Sequence, residues 1–205
     1  MTVRVAVLDY GIGNLRSAQK SLVRVGADAR LTDDPAQVRA ADAVVLPGVG
    51  HFGACARALR RTGLADVAAE AVSAGQPFLG ICIGAQLMFE GSEEAVDEAG
   101  LGLLSGPVER LTGDVRRPQM QWNRLCVTAP SCALFEGIGP DAWMYFVHSY
   151  APRPACPGEV LATCDYGGPV VAAAGRDGLW AVQFHPEKSG LAGRRLLANF
   201  IAWAG

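Results

Sequence analysis

The sequence predicts an α/β domain: a mostly parallel central sheet wound by helices on both faces, with antiparallel strands appended. Three observations predict it. The first half alternates short apolar runs with stretches of helical periodicity, the order of successive βαβ units. The first of those runs, Val3 to Leu8, is nearly continuously apolar rather than alternating, as a parallel central strand would be. The second half carries several strand-like runs separated by turn residues, and helical periodicity returns only at its end.

Taken in order, Val3 to Leu8 reads as the first strand, a central one. Gly11-Ile12-Gly13-Asn14 then turns into a helix whose Leu15, Ala18, Leu22 and Val25 fall at helical spacing and which Gly26 closes. Ala29 to Thr32 is a short strand, after which Asp34-Pro35 supplies an N-cap and a first-turn proline. Ala43 to Leu46 is the third strand and ends in Pro47-Gly48-Val49-Gly50. Leu64 to Ala74 is helical and stops at Gly75; Phe78 to Ile81 is the fourth strand. Beyond it, Leu125 to Thr128, Trp143 to His148 and Val160 to Cys164 read as strands. Val170 to Ala174 and Leu179 to Phe184 flank Gly175-Arg176-Asp177-Gly178 as a hairpin. Leu191 to Trp203 closes the chain as a helix with Leu196, Leu197, Phe200 and Ile201 on its apolar face.

With 205 residues, half of them hydrophobic and 19% charged, residues 1–205 are expected to form one domain with an ample core. A net charge of −2 gives no electrostatic case for nucleic acid or an acidic membrane. No apolar stretch reaches spanning length and the N-terminal run is too short for a signal peptide, so a soluble, cytoplasmic protein is expected. Six cysteines (Cys55, Cys82, Cys126, Cys132, Cys156 and Cys164) form no C-x-x-C pair and no zinc spacing, and neither disulfides nor a metal is expected.

One cysteine stands apart. In Pro77-Phe-Leu-Gly-Ile-Cys-Ile-Gly-Ala-Gln-Leu-Met-Phe-Glu90, Cys82 sits between a buried strand and the first turns of a helix over Gly84 to Phe89, with Gly80 and Gly84 two residues to either side. This is the nucleophile-elbow pattern with cysteine in the nucleophile's place. A sharp strand-to-helix turn needs glycines there because side chains would strike the neighbouring elements. The turn lifts the sulfur over the sheet edge and aims a helix N-terminus at it, which favours thiolate.

A thiol nucleophile needs an imidazole to manage its proton, and the imidazole needs an acceptor to orient it. Val182-Gln183-Phe184-His185-Pro186-Glu187 offers both, with the proline stiffening the step between His185 and Glu187. His51 and His148 have no carboxylate so near in sequence. Pro47-Gly48-Val49-Gly50 falls at the same sheet edge as Cys82, where a glycine-rich backbone can aim N–H groups at an oxyanion. Gly11-Ile12-Gly13-Asn14 lacks the third glycine of a dinucleotide-binding turn, position 16 being Arg16, and is read as a tight turn.

Together, Gly80-Ile-Cys-Ile-Gly-Ala-Gln86 and Val182-Gln-Phe-His-Pro-Glu187 resemble the class I (triad-type) glutamine amidotransferases, flavodoxin-like three-layer α/β/α domains that release ammonia from glutamine. The nucleophile-then-His-x-Glu order differs from the α/β-hydrolases, whose acid lies between nucleophile and histidine. Tyr10-Gly-Ile-Gly-Asn14, Leu46-Pro-Gly-Val-Gly50, Phe89-Glu-Gly-Ser-Glu-Glu94, Trp122-Asn123, Tyr145-Phe-Val-His-Ser-Tyr150 and Gln183-Phe-His-Pro-Glu-Lys-Ser-Gly190 are similar to the glutaminase subunits of imidazole glycerol phosphate synthases. The resemblance runs from Val5 to the last helix.

It implies Cys82 as nucleophile, His185 as acid and base, and Glu187 as its orienter. It implies an oxyanion hole from the N–H of Ile83 and one of Val49 or Gly50, completed by a peptide rearrangement in the Pro47–Gly50 strand. Gly50, Gln86, Glu94, Ser149 and Tyr150 match glutamine-holding positions; Asn14, Trp122, Tyr145 and Lys188 match positions facing the partner. That partner is a cyclase subunit, a (β/α)8 barrel that receives the ammonia in a heterodimer and forms imidazole glycerol phosphate and AICAR in histidine biosynthesis. No cofactor is implied. From the residues alone, Trp122 and Tyr145 would instead be core aromatics and Lys188 a solvated side chain. Gln121 stands where the family usually has glycine, and Ile83 and Ala85 replace its more frequent Leu and Met. Rival readings are a same-class glutaminase serving another synthase, such as the pyridoxal phosphate system, a cysteine hydrolase of the dienelactone type, or a nucleotide-binding module.

Overall fold

The computed structural model describes residues 2–205. Its first half follows the alternation read from sequence: β1 (Arg4–Leu8), α1 (Leu15–Arg24), β2 (Asp28–Thr32), α2 (Pro35–Ala40), β3 (Ala43–Gly48), α3 (Phe52–Arg61), α4 (Leu64–Ser73), β4 (Phe78–Cys82) and α5 (Ile83–Leu87). Asp34 caps α2 by accepting from the N–H of Ala36 at 2.8 Å, one position ahead of Pro35. The second half adds β5 (Gly91–Ser92), β6 (Pro107–Arg110), β7 (Gln119–Arg124), β8 (Cys126–Val127), β9 (Trp143–His148), β10 (Tyr150–Pro152), β11 (Val160–Asp165), β12 (Pro169–Arg176), β13 (Leu179–Val182) and α6 (Gly190–Ala204).

Eight strands form the main sheet in the order β2-β1-β3-β4-β13-β12-β11-β8. Pairing is parallel from β2 through β13 and antiparallel from β13 to β8. The chain leaves β1 toward one edge to make β2, then returns past it to β3 and β4. Right-handed crossovers therefore put α1 on one face and α2, α3 and α4 on the other. Packing agrees: α1 meets α6, whereas α4 meets α2 and α3, and α3 meets α5. The inner strands of the parallel part are buried along nearly their whole length, β3, β4 and β13 completely, whereas the edge strand β2 is only partly so.

Several elements differ from the expectation. Leu179–Val182 does form a hairpin with β12, and it is also the fifth parallel strand, in register with β4 from Leu179 opposite Phe78 to Val182 opposite Ile81. The helix after Cys82 ends at Leu87 rather than running to Phe89, because the carbonyls of Leu87, Met88 and Phe89 accept from Leu101, Leu103 and Gly102 instead of from a further turn. The helix α3 and the strands β5, β6, β7 and β10 have no counterpart in the sequence reading. Two small sheets hold those strands, β10-β6-β5 and the antiparallel ribbon β7-β9. Among the described residues, no helix is long and apolar enough to cross a membrane.

Candidate active site

Four chain segments converge at the carboxyl edge of the parallel strands. Cys82 ends β4 with φ +55°, the one non-glycine residue at positive φ among those described. Its flanking glycines are there for space, not for φ. A Cβ on Gly84 would overlap the carbonyl oxygen of Leu46, and one on Gly80 would lie 2.8 Å from the Ala85 Cα. The elbow is therefore wedged between β3 and its own helix. Cys82 pairs in register with Gly48 at the end of β3, which brings the following Val49 and Gly50 to the rim of the same cavity.

His185 follows β13 and is 1% exposed. Its backbone N–H donates to Tyr145 O at 2.9 Å, and Ser189 Oγ donates to its carbonyl at 2.6 Å while accepting from Tyr145 N, which ties the 185–189 turn to β9. The ring Nδ1 lies 2.8 Å from Glu187 Oε1, so Nδ1–H donates and Nε2 is the atom left for chemistry. Burial works to lower the imidazolium's pKa, but the interaction with the Cys82 sulfur and then that with Glu187, with the charges of both, outweigh it and hold it up at about 9. Nε2 is buried and has no hydrogen-bond partner within the protein, which leaves it free to exchange a proton in the cavity.

The cavity holding these groups measures about 260 Å³ and is lined by Val49, Gly50, Cys82, Ile83, Gln86 and Glu94 from the first half of the chain. Pro118, Val147, His148, Ser149, Tyr150 and His185 complete it. Its size suits a small metabolite. Larger grooves, about 710 Å³ beside α6 and about 660 Å³ beside β8, contain no histidine and bring no nucleophile to a base. The Glu94 carboxylate accepts from Phe52 N at 2.7 Å, and so caps α3 while facing the cavity. Gln86 is buried, donating to Tyr150 O and to Gln183 Oε1.

The residues matched to a partner face lie beside this cavity. Trp122 and Tyr145 pair across the β7-β9 ribbon with ring centroids 6.0 Å apart, and Lys188 Nζ sits 5.7 Å over the Tyr145 ring. Trp122 is 47% exposed, so the core-aromatic reading fails: the ribbon turns its inner face, Met144, Phe146 and His148, to the core and leaves Trp122 and Met120 outside. Asn14 is exposed at the start of α1, next to Gly13, whose Cβ position is 3.5 Å from Val49 N. The Tyr145 ring is also 6.3 Å from that of His185, so this face abuts the imidazole.

Three site residues escaped the sequence reading. His148 lines the cavity, its Nδ1 donating to Tyr150 O at 2.8 Å, and burial pushes its pKa down to about 4. Gln183 places Nε2 3.9 Å from the Cys82 sulfur. Tyr10 donates its hydroxyl to Pro47 O at 2.8 Å beneath the glycine-rich strand, and burial raises its pKa. Each lies within a motif already quoted, but no spacing or residue type there assigns it a role.

Residues 6–203 match the family of class-I glutamine amidotransferases. The chain is 49% identical over 203 residues to the imidazole glycerol phosphate synthase subunit HisH of Synechococcus elongatus, covering 98% of this chain and 93% of that protein. It is 47% identical to the HisH subunit of Rhodospirillum rubrum, covering 98% and 100% respectively. Among solved structures, one described as a glutamine amidotransferase superposes with TM-score 0.78 at 26% identity over 98% of each chain. The PurLQS structure from Thermotoga maritima superposes with TM-score 0.78 at 18% identity, covering the whole of both chains, a likeness of fold.

Proposed function

The chain belongs to the class-I glutamine amidotransferases, and from that premise we propose that it is the glutaminase subunit of an imidazole glycerol phosphate synthase, hydrolysing glutamine through Cys82, His185 and Glu187. The observation that carries the reading is the joint placement of a strained, buried cysteine and a carboxylate-oriented histidine in one small cavity. The long identity to the HisH subunits supports the choice of synthase.

The Cys82 thiolate attacks the side-chain carboxamide carbon, forming the S–C bond. The oxyanion is received by the N–H of Ile83 at the start of α5 and by one from Val49 or Gly50, once the peptide of that strand has turned toward the cavity. His185 Nε2–H protonates the departing nitrogen as the C–N bond breaks, leaving ammonia and a glutamyl thioester. Water, deprotonated by the now neutral His185, cleaves the thioester; glutamate leaves and the thiolate–imidazolium pair returns. Glu187 keeps Nδ1–H occupied throughout, so that Nε2 alone exchanges the proton. Glu94, Gln86, Ser149, Tyr150 and Gly50 surround the amino-acid end of the substrate.

Ammonia freed into water would protonate, so its use needs a protected route. In this reading the face formed by Asn14, Trp122, Tyr145 and Lys188 docks a (β/α)8-barrel cyclase subunit, which takes the ammonia and forms imidazole glycerol phosphate and AICAR. The test is glutamate release from glutamine by the purified chain mixed with the cyclase subunit and its nucleotide substrate. The mixture is expected to turn over, and Cys82→Ala or His185→Ala to abolish turnover while the chain stays folded. Unchanged turnover in Cys82→Ala would end the reading.

A further inference from the structure

Gln183 has no part in the steps above, yet it is 1% exposed and its side chain lies against the nucleophile. The hydrogen bonds around it can be oriented from the main chain outward. A backbone carbonyl only accepts, so the Gln86 group 3.0 Å from Tyr150 O is its NH2. The second hydrogen of that NH2 points to Gln183 at 2.9 Å, so the receiving atom is the Gln183 carbonyl oxygen. The Gln183 NH2 is thereby turned to Cys82, with Nε2 3.9 Å from Sγ. One end of this chain is a donor aimed at the sulfur. The other is Gln86 Oε1, an acceptor buried without a partner in a residue that lines the cavity.

We infer that Gln183 is both a donor to the Cys82 thiolate and a positioning residue for Gln86. By holding the Gln86 amide in one of its two flips, it offers Gln86 Oε1 to a donor of the substrate, the ammonium or the carboxamide NH2 of an amino-acid amide. The inference about substrate rests on the glutaminase reading; the contact with the sulfur does not. A buried acceptor left unpartnered is unfavourable until such a donor arrives, which gives the site a preference for ligands that carry one.

The titratable groups that bear on the sulfur come from three other segments: His185, backed by Glu187, after β13; Tyr10 after β1; and Cys55 on α3. His148 on β9 bears in turn on His185, and Glu94 on Cys55. Substitution at Gln183 removes none of them. Two variants separate the two roles. Gln183→Glu keeps the acceptor for Gln86 but sets a carboxylate oxygen against the sulfur, whereas Gln183→Met, apolar and similar in size, removes both interactions.

Iodoacetamide labelling of Cys82, followed on its own peptide from pH 5 to pH 10, reads the sulfur directly in the whole chain. Both variants are expected to need a higher pH for half-maximal labelling, by roughly one pH unit, or about tenfold slower labelling at pH 7. With the cyclase present, Gln183→Met should raise KM for glutamine about tenfold while Gln183→Glu leaves it within about threefold. A wild-type labelling curve in both variants would overturn the contact with the thiolate. An equal rise of KM in both would overturn the hold on Gln86. If the wild type labels normally but releases no glutamate with the cyclase, the glutaminase reading fails and takes the substrate role of Gln86 with it, while the labelling curves still decide the sulfur contact.

Discussion

Cys82 holds a backbone conformation, φ +55° and ψ −113°, that an L-residue adopts only under constraint. Such strain costs about 1–3 kcal/mol and persists because the surroundings over-determine it. The constraint here comes from the close approach of β3 on one side and of Met88 and Ala85 on the other. Removing the sulfur should therefore separate chemistry from strain. Cys82→Gly and Cys82→Ala are both expected to be inactive, and the glycine variant to be about 1 kcal/mol the more stable despite glycine's larger unfolded-state entropy. Urea unfolding of the two proteins decides it; an alanine variant of equal or greater stability would mean that the elbow is not strained. The nucleophile was legible in the sequence because this geometry demands small neighbours at fixed offsets. His148 and Gln183 were not, because a buried side chain that works through hydrogen bonds leaves no spacing of its own.

Two glycines at the sheet edge illustrate how elements, rather than residues, set the tolerance of the site. Gly84 has no room: its missing Cβ is where the β3 carbonyl of Leu46 lies, and backbone cannot yield as a side chain can. Gly50 has open space around it but sits at φ +112°. Gly84→Ala is expected to cost more than about 3 kcal/mol, by prising α5 from β3, and Gly50→Ala roughly 1–2 kcal/mol, from backbone strain alone. Chemical denaturation of the pair checks the order, and a reversed order would contradict the packing of α5 on β3. The same scale explains what the sequence concealed. The helix α3 buries Phe52, Cys55, Ala56, Ala58 and Leu59, mostly small residues, and its start is capped by His51, an unusual N-cap, and from afar by Glu94. The strand β7 inverts the usual pattern, burying Gln119 and exposing Met120 and Trp122. A strand with its apolar side outward reads as a loop until a partner is supposed to cover it.

Across the whole molecule, the parallel sheet was readable because apolar runs alternate with helical periodicity, whereas the second neighbour of β13 was not, since a hairpin specifies one edge of a strand and says nothing of the other. That unseen pairing with β4 is what sets His185 beside Cys82. It also gathers two buried histidines with opposite titration, and their signs fix how stability should vary with pH. Burial and the nearby His185 depress the pKa of His148 to about 4, below the unfolded value of about 6.5, so its contribution is present above about pH 6.5 and is lost as pH falls through 4. The pKa of His185 is raised to about 9, so its contribution is present below about pH 6.5 and is lost as pH rises through 9. Asp42, lowered to about 2 by Arg4, adds a loss only below about pH 4. Stability measured by urea unfolding should therefore peak between pH 6 and 7, declining on both sides within this window. His148→Asn, which can still donate to Tyr150 O, should flatten the decline from about 6.5 down to 4 and leave the alkaline limb intact. His185→Asn should do the reverse. Stability that keeps rising between pH 7 and 9 in the wild type would show that the sulfur and Glu187 do not hold the imidazolium in the folded state.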